Sequence, residues 1–305
     1  MMSRGTLKVA AAFVCMALVA GGAALGQTPK TPAEEAGYAR YSQAADVALF
    51  LSRLDAASSK LAVLVVGRSS GSAAFPPVDL WLCVLSSAGA AGPDELDRTK
   101  PTLLITASQH GNEQSAKEAA LELIRDVAAG PLTRLLESVN LLVLPQANPH
   151  GNFFDVRPNA QGLDLNRDHV KVESDEVRAI HAVFASWRPE VTLDVHEKGD
   201  DYYRVSLGCV SNLNIDPRLQ EFSRTRILAA VGRSLAAAGV TFHEYLVTDE
   251  MGINTAAGAA LRPEDLADRE EMMRYSTTDL NDGRNSLGIF QTLSFIQEGA
   301  SRHDL

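Results

Sequence analysis

Residues 102–129 read TLLITASQHGNEQSAKEAALELIRDVAA, an apolar run that passes through a short polar turn into a pattern of helical period. Thr102 to Ala107 carries no charge, the composition of a strand buried on both faces. From Gln114 to about Ala129, Ala116, Ala120, Leu121 and Ile124 recur at intervals that put them on one inward stripe. A short helical piece, Leu132 to Glu137, then leads into a second apolar strand, Asn140 to Pro145. Strand, helix and strand in this order predict a right-handed crossover between parallel strands.

Similar patterns continue in both directions. Upstream, Val47, Leu49, Phe50 and Leu54 mark an amphipathic helix over Ser42 to Ala57, followed by strands Leu61 to Val66 and Val78 to Leu85. Downstream of a polar loop, Asn148 to His169, lie a helix (Asp175 to Ser186) and strands Val191 to Val195 and Arg204 to Cys209. A long helix from Pro217 to Ala238, a strand from Phe242 to Leu246 and a last strand from Ile289 to Gln297 complete the pattern. Such alternation implies an α/β fold, a three-layer sandwich whose mixed, mostly parallel sheet of about eight strands carries helices on both faces. There is no internal repeat and no second boundary, so residues 42–305 read as one domain.

At 305 residues and 46% hydrophobic content the chain is long enough for a deep core. Its first 26 residues have the form of an export signal: Arg4 and Lys8, an apolar run from Val9 to Leu25, and small residues at Ala24-Leu25-Gly26. Release to a periplasmic or secreted location follows, with residues 27–41 expected as a flexible leader. No later stretch is long and apolar enough to span a bilayer. Losing Arg4 and Lys8 leaves 26 basic against 38 acidic residues, a net charge of −12, which repels nucleic acid and anionic lipid. Of the remaining cysteines, Cys83 and Cys209 sit in apolar strand-like settings and read as buried free thiols.

Polar groups stand at the ends of the expected buried strands: His110 with Glu113, then His196, then Glu298. In open α/β sheets, ligands bind outside the carboxyl ends of the strands. A catalytic zinc ion takes three protein ligands from imidazole and carboxylate and keeps a further position open. His110, Glu113 and His196 supply that set for one Zn2+, because a His in a strand-to-helix turn and a Glu at the helix start face a common point. Asp194, Glu197 or a backbone carbonyl can orient an imidazole through its second nitrogen, and the spacing does not choose among them.

Two further motifs accompany this set: Asn148-Pro149-His150-Gly151, and the run Arg157-Pro158-Asn159-Ala160-Gln161-Gly162-Leu163-Asp164-Leu165-Asn166-Arg167-Asp168. With them the sequence resembles the zinc metallocarboxypeptidase family typified by carboxypeptidase A, over most of the chain from about Leu61 to Gly299. The resemblance implies hydrolysis of a peptide bond beside a free carboxylate. It assigns Glu298 as the catalytic base and Arg157 as the group that polarises the scissile carbonyl. Asn166 and Arg167 would grip the substrate carboxylate, and Tyr275 would close over the substrate. Tyr202 and Tyr203 are alternatives for lining the cleft. The other histidines, among them His169 and His181, have no partner at ligand spacing.

The likeness has departures. The interval from Glu113 to His196 is shorter than in carboxypeptidase A, and Asn112 stands where Arg is frequent. His110-Gly111-Asn112-Glu113 also resembles the aspartoacylase and succinylglutamate desuccinylase branch, so the partner is a peptide or an acyl amino acid with a free carboxylate. A non-catalytic secreted pseudo-peptidase is the remaining alternative. Asp282, Gly283 and Arg284 lie near the family's specificity position and suggest a charged pocket. Few residues follow Glu298, where the family adds a covering helix; a chain ending here would expose apolar sheet and self-associate. The oligomeric state is not legible.

Overall fold

A computed structural model of the protein describes residues 29–198, 203–245, 247–248, 273–274 and 278–300. The expected export signal at residues 1–26 and Tyr275 lie outside these residues.

The chain folds around one sheet of eight strands: β1 (Leu61–Arg68), β2 (Asp79–Leu85), β3 (Thr102–Ala107), β4 (Asn140–Leu144), β5 (Val191–Lys198), β6 (Val205–Cys209), β7 (Phe242–Glu244) and β8 (Leu293–Ala300). Their spatial order is β1-β2-β4-β3-β5-β8-β6-β7. The central pairs β4–β3, β3–β5 and β5–β8 and the outer pair β6–β7 are parallel; β1–β2, β2–β4 and β8–β6 are antiparallel. The α/β class with a mixed, mostly parallel sheet is thereby met.

Alternate residues of each strand feed two cores, as the pleat requires. On one face, Leu103, Ile105, Leu193 and Phe295 meet the helices Ala44–Ala57 and Gln114–Ala129 and the helical run that starts at Pro217. On the other, Leu104, Leu142 and Val84 meet Ile180, Val183 and Trp187 of the helix Asp175–Trp187. Ser174 caps that helix by accepting from the Val177 amide. Strand β3 and the helix after it have the limits that their periodicity predicts.

Four local expectations are corrected. The segment expected as a flexible leader contains a helical turn, Pro32–Glu35, started by a reciprocal capping box between Thr31 and Glu34. Glu34 also forms an ion pair with Arg125, and Pro32 and Ala33 are buried, so this turn is docked against the domain. The polar loop from Asn148 holds a short helix, Pro149–Phe154, and a tight turn, Leu165–Arg167. The long helix after Asp216 passes through a π-helical stretch, Ser223–Leu228, before resuming at Ala229–Ala237. Finally, the last strand begins at Leu293 rather than Ile289: Asp282 caps a helix, Gly283–Gly288, and Gln291 turns at φ 62°. Ile289 and Phe290 therefore belong to a helix end and a turn, and apolar character alone could not distinguish these from strand.

Cys83 and Cys209 are free and buried, and burial pushes the Cys209 thiol up to about 12. Among the described residues no helix is long and apolar enough to cross a membrane.

Candidate metal centre

Parallel strands deliver their carboxyl ends to one edge of the sheet, and the polar groups gather there. His110 follows β3, Asn148 follows β4, His196 lies in β5 and Glu298 in β8. His196 and Glu298 are register partners on neighbouring parallel strands, so their side chains leave the same face side by side.

The turn after β3 is held by a clamp from the Asn148-Pro149-His150-Gly151 motif. Asn148 Nδ2 donates to the carbonyls of Gln109 (3.1 Å) and Arg157 (3.2 Å), while its Oδ1 accepts from the Gly151 amide at 2.8 Å. Gly111 and Gly151 pack backbone to backbone; a Cβ on Gly111 would stand 2.0 Å from the Gly151 carbonyl carbon. One asparagine thus ties the His110 turn to the Arg157 loop, which explains the motif physically.

At the centre, His110 Nδ1 lies 2.6 Å from Glu113 Oε1, and His196 Nδ1 lies 2.8 Å from Glu113 Oε2 and 3.0 Å from His110 Nδ1. The outer nitrogens are each committed to a carboxylate: His110 Nε2 to Asp164 Oδ1 at 3.1 Å, and His196 Nε2 to Asp194 Oδ2 at 2.7 Å. Asp194, one of the candidates open from the sequence, orients His196, whereas Asp164 orients His110. All three convergent residues are buried, and one ligand atom from each lies within 4.8 Å of the others. Two inward imidazole nitrogens and a carboxylate, each imidazole fixed from behind by an acid, fit a divalent zinc ion.

Electrostatics follow from this crowding. Burial works to raise the Glu113 pKa, but the His196 and His110 imidazoles outweigh it and hold the group at about 2. Burial opposes charge on His196, yet the Asp194 and Glu113 carboxylates lift its pKa well above the usual value. Asp164 is held below the ordinary carboxylate range despite burial, through His110 and Arg157. Glu298 moves the other way: burial pushes it up to about 7 against the pull of His196.

The arginine loop reaches the same place. Arg157 Nε donates to Asp164 Oδ2 at 2.8 Å, and its Nη1 stands 3.8 Å from Glu113 Oε1. Asn166 is buried, with its Nδ2 3.2 Å from His196 Nε2 and its Oδ1 accepting from the Gly283 amide at 2.8 Å. Arg167 is exposed and donates to the Asn166 carbonyl at 2.7 Å. Asp282 and Arg284 do not present open charge: they are 3% and 1% exposed and pair with each other at 3.2 Å. Asp164 went without a role in the sequence reading although it stands inside the quoted run. Its contact with His110 crosses 54 positions, which no periodicity reports.

Comparison with known proteins agrees with this geometry. The zinc carboxypeptidase family model matches residues 53–196. Carboxypeptidase 2 of Trichophyton rubrum is 28% identical over 263 residues, covering 82% of this chain and 45% of that protein. Carboxypeptidase 2 of Trichophyton tonsurans is 28% identical over 225 residues, covering 70% of this chain and 39% of that protein. The chain spans about half the length of these curated relatives or less. Among solved structures, a metallo-carboxypeptidase from Burkholderia cenocepacia aligns with TM-score 0.61 at 20% identity, over 85% of this chain and 60% of the other. A metallo-carboxypeptidase from Pseudomonas aeruginosa in complex with (2-guanidinoethylmercapto)succinic acid aligns with TM-score 0.57 at 20% identity, over 85% and 60%. These structural likenesses carry the fold.

Proposed function

We propose, from the premise that residues 53–196 are a zinc carboxypeptidase segment, that this chain hydrolyses a peptide or amide bond beside a free carboxylate. The observation that supports the reading best is the pairing of each inward imidazole with an outer carboxylate, together with the register of Glu298 beside His196.

His110, Glu113 and His196 would hold one zinc ion. When bound, zinc supplies a Lewis acid that acidifies water at neutral pH. Glu298, buried at the strand end next to His196, takes the proton of the attacking water and passes it to the leaving nitrogen. Its raised pKa makes it a stronger base than a solvated carboxylate, so the proton is accepted readily and still returned. Arg157, steered by Asp164, offers its guanidinium to the carbonyl oxygen as negative charge develops there. Arg167, exposed beside the centre, binds the substrate carboxylate through its planar fork. Asn166 braces this loop through its contacts with Gly283 and His196 and adds its amide to the carboxylate site. Tyr275 is proposed as a cleft residue on the family likeness alone. Residues 1–26 are proposed to direct export and to be removed, leaving the catalytic domain from residue 42 onward.

Mass spectrometry of a peptide library after incubation with the zinc-loaded protein tests this reading. Stepwise loss of C-terminal residues is the expected result, and cleavage of acetylaspartate-type substrates alone would move the chain to the acyl-amino-acid branch. Zinc binding without turnover of either class would leave the non-catalytic alternative.

A further inference from the structure

Glu176 stands at the second position of the helix Asp175–Trp187 and is 1% exposed. Its Oε1 accepts from the Ser70 amide at 2.8 Å and from the Ser70 hydroxyl at 2.6 Å, and its Oε2 accepts from Asn159 Nδ2 at 2.9 Å. Ser70 follows β1, and Asn159 belongs to the loop that carries Arg157 and Asp164. All three residues are buried, and the start of a helix favours negative charge at this place. The hydrogen bonds of this acid thus go to the arginine loop rather than to the metal ligands.

Asn159 is the hub of that loop. Its Oδ1 accepts from the amides of Gln161 and Leu163, both at 3.0 Å. Its own amide donates to the Leu163 carbonyl at 3.0 Å, and its carbonyl accepts from the Gly162 amide at 3.0 Å. The turn closed in this way brings Asp164 back to Arg157, whose Nε donates to it at 2.8 Å. On the other side, the Arg157 carbonyl accepts from Asn148 Nδ2 and from the Gly111 amide. Because backbone amides claim Asn159 Oδ1, its NH2 group must face Glu176. A carboxylate, having no proton to give, accepts from that group and from the Ser70 amide at once. A glutamine at position 176 would set its NH2 group against one of these donors in either orientation.

We propose that Glu176 is a positioning residue for Arg157: it pins Asn159 from behind, so that the turn at residues 159–163 holds Asp164 and the guanidinium in place for the carbonyl oxygen. This role rests on the reading of Arg157 given under the proposed function. The Arg157 side chain is 44% exposed whereas Asn159 is 2% exposed, and a guanidinium at the rim keeps one geometry only when the backbone beneath it is rigid. No spacing in the sequence marks this brace, since the Ser70 bond to Glu176 crosses 106 positions.

Two measurements test it on the zinc-loaded protein. In steady-state kinetics on a cleaved peptide, Glu176→Gln is expected to lower kcat about 10–100-fold with KM within about threefold of the parent, the loss expected when a group acting on the transition state is misplaced. Glu176→Asp, which keeps the charge but shortens the reach by one methylene, should show the same split more weakly and serves where Glu176→Gln does not fold. In an Arg157→Ala background, Glu176→Gln should change kcat less than about twofold, because its effect travels through Arg157. Combining Glu176→Gln with Asn159→Asp moves the carboxylate across the bond and gives each donor an acceptor again, so kcat should return to within about threefold of the parent. Parental kcat in folded Glu176→Gln, an undiminished effect in the Arg157→Ala background, or a double variant no better than Glu176→Gln overturns the role. The second measurement needs no turnover. In ¹H–¹⁵N spectra the Arg157 Nε–H, identified by its loss in Arg157→Lys, is expected to be protected from exchange with water in the parent, exposed in Glu176→Gln and protected again in the double variant. An Arg157 signal that Glu176→Gln leaves unchanged overturns the role as well. A parent protein that cleaves neither peptides nor acyl amino acids refutes the hydrolase reading instead, and the Arg157 signal still decides the positioning.

Discussion

Glu298 is the residue on which the proposed chemistry turns, and its environment makes that testable. Glu298→Gln should keep zinc bound and lower kcat by about 10²–10⁴-fold, the usual contribution of a positioned base. The base works ionised, so kcat/KM should rise with pH through a limb at about 7 or lower, because burial raises the group and a neighbouring dication draws it back down. That limb should vanish in the variant. In metal-free protein the sign for stability is opposite: a carboxyl whose folded pKa is raised from 4.5 to about 7 costs stability increasingly as pH climbs through that window. Metal-free Glu298→Gln should therefore melt above the parent at pH 8. Asp164→Asn tests a different link, since one carboxylate serves both His110 and Arg157. Zinc affinity or turnover should drop about 10–100-fold, measured by chelator competition and by steady-state kinetics. The convergent triad and Glu298 could be read from residue type at strand ends. Asp164 could not, because its role exists only through contacts between distant segments.

Among the elements, the short helix after β4 acts as a bracket rather than as a binding surface. Gly111→Ala would force a methyl group into the Gly151 backbone, which cannot yield as a flexible side chain would. About 1–3 kcal/mol of destabilisation is expected, read as a lower denaturant midpoint at unchanged slope, together with weaker zinc binding. The limits of β3 and of the helix after it were legible because a six-residue buried strand and a sixteen-residue amphipathic helix leave unmistakable periods. At Ile289 and Phe290 the same logic failed. An apolar helix end and turn precede the strand there, and Phe290 remains 64% exposed. The turn Pro32–Glu35 escaped notice for the converse reason: its stability comes from a capping box and Arg125, not from an apolar stripe.

Across the molecule, the metal centre draws on three strands that lie side by side in the sheet. Binding a ligand to the folded form alone stabilises it by mass action, about 2.7 kcal/mol when the free ligand is a hundred times its Kd. Chelation should accordingly lower the melting temperature, and added zinc should restore it; a melt indifferent to both would contradict the assigned ligands. The α/β class and the mixed sheet followed from alternating periods, but the spatial order β1-β2-β4-β3-β5-β8-β6-β7 did not. Strand order depends on which edges pair, and pairing between β5 and β8 joins residues about a hundred positions apart, as in Asp194 with Ile296.

That pairing also fixes a dimension. Because His196 and Glu298 are rungs of one ladder, the gap between them is set by the lateral repeat of a β-sheet, about 4.8 Å, and not by the length of any loop. Loops around the rim are free to grow, shrink or change composition in adapting to different molecules, while this interval stays constant. A shift of one rung would turn Glu298 to the opposite side of the sheet altogether, so the backbone itself serves as the gauge that keeps acid and imidazole in step.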